Sequence, residues 1–127
     1  MHLVDSCGWV EAMTGSTLGR SVYQPLLADT SQLVVPTIVQ LECYKWVARE
    51  LGEEAADTFV VATGAARVLP LTTELAVLAA GLSAQFRLAM ADAIVLASAR
   101  HAGAVLYTSD AHFDGLPGVQ FRAKQPA

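Results

Sequence analysis

Five short runs suited to β-strands alternate along this chain with longer stretches of helical character, and that alternation limits the folds open to it. The runs are His2–Val4, Leu33–Val35, Arg67–Leu69, Ala104–Tyr107 and Val119–Phe121. Asp5, Pro36 and Pro70 close the first three. Strands separated by helices pair most readily in parallel, because a parallel neighbour needs a long crossover. Right-handed crossovers then carry helices to both faces of the sheet. With 127 residues, 54% of them hydrophobic and only 16% charged, the chain has the composition of a sheet covered on both sides rather than one wetted face. It is expected to form one α/β domain over residues 1–122, with a short polar tail at 123–127.

The intervening stretches carry helix punctuation. Ser6 is placed to cap a helix through Met13 that Gly15 breaks, and a second helix is expected over Ser16–Ala28. Thr37 and Gln40 read as a T-x-x-Q capping box opening a helix to Leu51, ended by Gly52. Further helices are expected over Glu53–Ala62, from Thr73–Glu74 to Phe86, and over Ala91–Ala102, where Gly103 stops the last.

Against this frame, four acidic residues stand where the chain changes character: Asp5, Glu42, Asp92 and Asp110. Asp5 and Asp110 follow the ends of two strands, and in a parallel sheet those ends share the edge where open α/β folds bind ligands. Asp5 and Asp110 also occupy places where helix or turn caps are common, and Asp92 suits the positive first turn of its helix. Glu42 has no such role. It lies more than one turn inside its helix and borders the apolar stripe after Ile38 and Leu41, so its carboxylate calls for a cation or a basic partner. Four uncompensated carboxylates within a few ångströms would repel strongly, and a divalent cation resolves the conflict. Oxygen donors without a His or Cys set favour Mg²⁺, or Mn²⁺, over zinc.

Other polar residues compete less well. Glu53, Glu54 and Asp57 cluster at a helix start as a solvated group, and Glu11 and Glu50 read as surface charges. Asp114 is an alternative to Asp110, and His112 an alternative substrate contact, though a plain loop histidine is the simpler reading. Cys7 and Cys43 form neither a zinc motif nor a disulfide framework, which points to small core residues in a reducing, cytoplasmic setting. No basic region precedes the N-terminal apolar stretch, so no signal peptide is expected, and no apolar run reaches the ~20 residues of a membrane span. A net charge of −4 argues against bulk electrostatic binding of nucleic acid but leaves Lys45, Arg49, Arg87 and Arg100 to meet phosphates. No G-x-G-x-x-G or P-loop pattern follows a strand, no Ser and His are paired for a hydrolase triad, and no D-x-D of a phosphoryl-transfer site follows the first strand.

Four ordered segments resemble the successive motifs of PIN-domain proteins: Val4-Asp5-Ser6-Cys7-Gly8-Trp9-Val10-Glu11, Val35-Pro36-Thr37-Ile38-Val39-Gln40-Leu41-Glu42, Ala91-Asp92-Ala93-Ile94, and Leu106-Tyr107-Thr108-Ser109-Asp110-Ala111-His112-Phe113. Within that family the resemblance is strongest to VapC toxins of bacterial toxin–antitoxin pairs, and it spans essentially the whole chain. It implies an α/β/α sandwich and a Mg²⁺-dependent ribonuclease. Asp5 and Asp92 would be the principal metal ligands, Asp110 a third acidic residue, and Glu42 a ligand directly or through water. Ser6 and Thr108 match polar positions expected to hold those ligands by hydrogen bonds. The family commonly has Ser where this chain has Cys7.

The expected chemistry is in-line hydrolysis of an RNA phosphodiester, with Asp5 bridging if two ions bind and Asp110 or Glu42 orienting the attacking water. A small antitoxin that covers the acidic site and a homodimer are the partners the resemblance implies, with the apolar helices near Trp9, Trp46 and Phe59 as candidate surfaces. The rival expectation is a PIN-like interaction module that keeps the carboxylates and cleaves little or nothing.

Overall fold

The structure, a computed structural model, describes residues 1–124. The tail expected over 123–127 therefore lies, from residue 125 onward, outside the described residues. The strands are β1 (His2–Val4), β2 (Leu33–Pro36), β3 (Arg67–Leu69), β4 (Val105–Thr108) and β5 (Val119–Phe121). All neighbours pair in parallel, in the order β3-β2-β1-β4-β5. The helices are α1 (Ser6–Thr14), α2 (Gln24–Ala28), α3 (Thr37–Leu51), α4 (Glu53–Thr63), α5 (Thr73–Phe86) and α6 (Met90–Ala102). The chain thus forms a PIN-like α/β/α fold with a parallel central sheet.

The central strands are largely buried: Leu3, Val4, Leu33, Val34, Val35 and Leu106 are each 0–1% exposed. This is why the runs are continuously apolar rather than alternating. Helix α6 supplies the thickest part of the core, with every residue from Ala93 to Ala99 buried. Trp9 of α1 meets Phe59 of α4 edge-on at 5.4 Å and 88°, and both rings pack against the core margin. Among the described residues no single helix is long and apolar enough to cross a membrane.

Several local expectations are corrected. Asp5, not Ser6, caps α1: its Oδ1 accepts the Ser6 N–H at 2.8 Å, so Ser6 is the first helical residue. The Thr37–Gln40 capping box does not form. Pro36 ends β2 in extended geometry and occupies the cap position itself, and Gln40 instead donates to Thr63 Oγ1 at 2.8 Å, tying α3 to the end of α4. Thr72, one residue before the expected opening, caps α5 by accepting from the Leu75 N–H.

The stretch expected as one α-helix over Ser16–Ala28 contains a π-helical turn at Gly19–Tyr23, followed by the short α2. Two features enforce the wider turn. Pro25 has no N–H to return to the Ser21 carbonyl, and Gln24 bonds back five residues to the Gly19 carbonyl. The turn is also pressed on α1, since a Cβ at Gly19 would run into the Glu11 carbonyl. Gly8 is equally confined: a Cβ there would come within 2.6 Å of both the Tyr23 ring and the Val4 side chain.

Because the obstacle at Gly19 is backbone, Gly19→Ala is expected to lower unfolding free energy by at least about 2 kcal/mol. Urea denaturation followed by circular dichroism measures this, and an unchanged midpoint would show that the α1 contact is loose.

Candidate metal centre

Strand order reverses between β1 and β4, because β2 and β3 extend the sheet to one side of β1 while β4 and β5 extend it to the other. The register pairs Leu3 with Leu106 and Val4 with Tyr107, so Asp5 arrives level with Thr108. The Asp5 N–H donates to the Tyr107 carbonyl at 3.1 Å, which fixes the strand end. On the other side Leu3 pairs with Val34 and α3 starts directly after β2, so the helix that carries Glu42 in its second turn begins at the same edge. Helix α6 runs back across the sheet before β4 returns, which sets its first turn, with Asp92, beside the end of β4. Topology thus brings the ends of β1 and β4 and the starts of α3 and α6 to one edge.

Asp5 is the most enclosed, at 4% exposed. Its Oδ2 accepts from Thr108 Oγ1 at 2.9 Å and lies 3.5 Å from Cys7 Sγ. Thr108 Oγ1 in turn accepts the Asp110 N–H at 3.0 Å, so one hydroxyl joins the ends of both strands. Asp110 Oδ1 accepts the His112 N–H at 2.9 Å and caps the short 3₁₀ turn Ala111–Phe113. Asp92 lies in the first turn of α6, and His112 Nδ1 stands 3.5 Å from its Oδ2 and 3.2 Å from Asp110 Oδ1. The Ser6 hydroxyl and the Lys45 ammonium both act on the partly buried Glu42.

The electrostatics record the crowding. Burial raises the Asp5 carboxyl above the ordinary range, opposed by the Thr108, Ser6 and Cys7 hydrogen bonds and reinforced by the charge of Asp110. Burial also raises Glu42, with Asp5 and Asp92 adding repulsion against Ser6 and Lys45. Asp92 rises for the same first reason, then through Asp110 and Asp5, with His112 opposing. Asp5, Glu42 and Asp92 thus each feel at least one neighbouring carboxylate. The donor set is rich in carboxylate oxygen, negatively charged and partly open to water, which suits a hard divalent cation. Among the described residues, one ligand atom each of Asp92, Asp110 and His112 lie within 4.8 Å of one another, while Asp5 and Glu42 feel the neighbouring carboxylates without belonging to that group.

Three further side chains meet this edge in ways not expected from the sequence. Cys7, expected in the core, has its thiol between Asp5 Oδ2 and Thr108 Oγ1 at 3.5 Å from each, and burial followed by the Asp5 charge pushes it up to about 11. Tyr23, wholly buried, bonds its hydroxyl to Ser109 Oγ at 2.6 Å and is pushed up to about 12, first by burial. His112 sits on two site carboxylates. Its spacing of two from Asp110 was the available clue, since a 3₁₀ turn folds that residue back on its cap. Asp114 is exposed and follows that turn, so Asp110 is the aspartate held at the strand end. Cys43 is buried in the core as expected. Of the four cations named for phosphate contact, Arg49 pairs with Glu50 at 3.2 Å and Arg100 lies over the Phe86 ring, while Lys45 acts on Glu42.

A parallel sheet with acidic residues gathered at its switch point defines the PIN class of domain. The PIN domain family model matches residues 2–119, and the chain belongs to that family. Similar folds occur in a toxin–antitoxin complex from Klebsiella pneumoniae, with 22% identity over 94% of this chain and 96% of that one, at a TM-score of 0.80. Another is VapC20 of Mycobacterium tuberculosis, a toxin that cleaves the sarcin–ricin loop, with 20% identity over 99% of this chain and 100% of that one, at 0.75. A third is DNA-bound VapBC of Salmonella typhimurium, with 17% identity over 96% of each chain, at 0.72. Comparison with curated proteins gives no significant match.

Raised carboxyl groups bind their protons more tightly in the folded chain than in the unfolded one. Their contribution to stability is therefore present at low pH and lost as pH rises through the raised values of Asp5, Glu42 and Asp92. Metal-free protein is expected to lose thermal stability as pH rises above the ordinary carboxylate range, and Asp5→Asn to flatten that fall. Scanning calorimetry in EDTA over that rise in pH checks it; a parallel decline in the variant would remove Asp5 as a source.

Proposed function

We propose that this protein is a divalent-metal-dependent endoribonuclease, the toxin of a toxin–antitoxin pair, using Mg²⁺ or Mn²⁺ held by Asp5, Asp92, Asp110 and Glu42. The observation that carries the reading is the convergence of four carboxylates, from four separate elements, on the switch-point edge of a PIN fold. Membership of the PIN-domain family and the likeness to VapC folds support it.

A bound cation supplies the Lewis acidity that activates water and steadies negative charge on the phosphoryl and leaving oxygens. The chain's own residues do the rest. Thr108 and the Ser6 N–H fix both oxygens of Asp5, so its carboxylate meets the ion without searching for an orientation. Asp92 and Asp110 stand on the open side, 19% and 32% exposed, where an RNA backbone can approach. Glu42, with Ser6 and Lys45 acting on it, or Asp110 would orient the attacking water, and the Lys45 ammonium would meet a neighbouring phosphate.

The antitoxin and a second copy of the chain are the proposed protein partners. Leu41, Leu51, Val61, Val77 and Met90 are large apolar side chains left 53–79% exposed on α3 to α6, which supports a covered surface. Trp9 and Phe59, by contrast, are largely spent on each other and on the core margin.

Purified protein incubated with mixed transfer and ribosomal RNA and either Mg²⁺ or Mn²⁺ is expected to cut at defined sites. EDTA should abolish cleavage, and Asp5→Ala should lower it by more than about 100-fold, beyond the loss typical of a residue that only supports a ligand. Mapped ends would begin to identify the target. No cleavage with either metal, in protein that binds them, would favour the interaction module instead.

A further inference from the structure

His112 is 75% exposed, yet its ring is not free to wander. It is the middle residue of the turn Ala111–Phe113, whose last member, Phe113, is 0% exposed in the core. Its N–H is tied to Asp110 Oδ1 at 2.9 Å. This anchoring holds the imidazole at the mouth of the carboxylate cluster, where one ligand atom each of Asp92, Asp110 and His112 lie within 4.8 Å of one another.

The separations resemble those of ligands around a single ion. Bonds of about 2.1 Å place adjacent octahedral ligands about 3.0 Å apart and opposite ones about 4.2 Å apart. Nδ1 stands 3.2 and 3.5 Å from the two carboxylate oxygens. With no ion bound, the same contacts serve as ion pairs from the ring to Asp92 and Asp110, and the ring opposes the rise of the Asp92 carboxyl.

We propose that His112 completes a mixed nitrogen–oxygen ligand set with Asp92 and Asp110, and that this set makes the site prefer Mn²⁺ over Mg²⁺. The proposal rests on the reading of this edge as a metal centre. Mg²⁺ is a hard ion that takes oxygen and retains its waters, whereas imidazole nitrogen gives a first-row transition ion the larger gain. The exposed side of the cluster leaves room for the water ligands of either ion. Asp5 and Glu42 contribute charge to both ions alike, so the choice between them falls to the one nitrogen donor at the mouth.

The test uses full-length protein freed of metal and titrated calorimetrically with MnCl₂ and with MgCl₂. Wild type is expected to bind Mn²⁺ more tightly. His112→Ala should weaken Mn²⁺ binding by about 10-fold or more while leaving Mg²⁺ within about twofold. His112→Asp, which makes the set all oxygen, should shift the ratio towards Mg²⁺. Electron spin echo modulation of bound Mn²⁺ should show a coordinated ¹⁴N in wild type that His112→Ala lacks. The other histidines do not confuse the assignment, because His2 Nε2 lies 2.7 Å from the Leu26 carbonyl and His101 lies beside Glu74. An unchanged Mn²⁺ to Mg²⁺ ratio and no nitrogen coupling would overturn the role of His112 while leaving the metal centre standing. Failure of wild type to bind either ion would overturn both.

Discussion

The parallel pairing of β1 with β4 is the contact on which the rest depends. It sets Asp5 level with Thr108, and Thr108 then serves two partners at once, donating to the Asp5 carboxylate and accepting the Asp110 N–H. With that hydroxyl in place the two strand ends become one rigid edge. Helices α3 and α6 need only begin at the same edge, as the connections require, for Glu42 and Asp92 to join it. The buried strands are what keep this edge fixed, since close-packed interiors do not deform gradually.

The same edge opposes two demands. Three helical N-termini meet it, those of α1, α6 and the turn at Ala111, and each favours a nearby negative charge. That explains why Asp5, Asp92 and Asp110 each look like ordinary helix-start residues and still form a cluster. The local role and the collective one are compatible because a carboxylate oxygen that accepts one hydrogen bond keeps a further lone pair. Burial and mutual repulsion act the other way and raise three of the four carboxyl groups. A fold selected for stability alone has no use for that repulsion, whereas a cation-binding edge does.

The strands and most helices were legible because the signals were local: apolar runs closed by Pro or Asp, and Gly at helix ends. Glu42 was legible because it had no local excuse. What escaped the sequence were features created by distant neighbours. The π turn at Gly19–Tyr23 arises from Pro25 and the backbone of α1, and the capping box failed because Gln40 found Thr63 on another helix. Cys7 reads as a small core residue until β4 brings Thr108 against it, and Tyr23 as a helix aromatic until its hydroxyl reaches Ser109. His112 was visible in the sequence but its partner Asp92 lies on another element, so only the assembled edge shows the pairing.

The strand at the middle of the sheet precedes both of its neighbours, and it waits for β4, which follows β2 and β3 along the chain. The hydrogen bond from Thr108 to Asp5 spans 103 residues. While a ribosome is still making the protein, β1 can pair with β2, but the other half of the acidic edge has no template yet. A nascent or prematurely ended chain lacking β4 carries Asp5 and Glu42 without Thr108, Asp110 or His112. Order of translation thus delays assembly of the edge until β4 has been made.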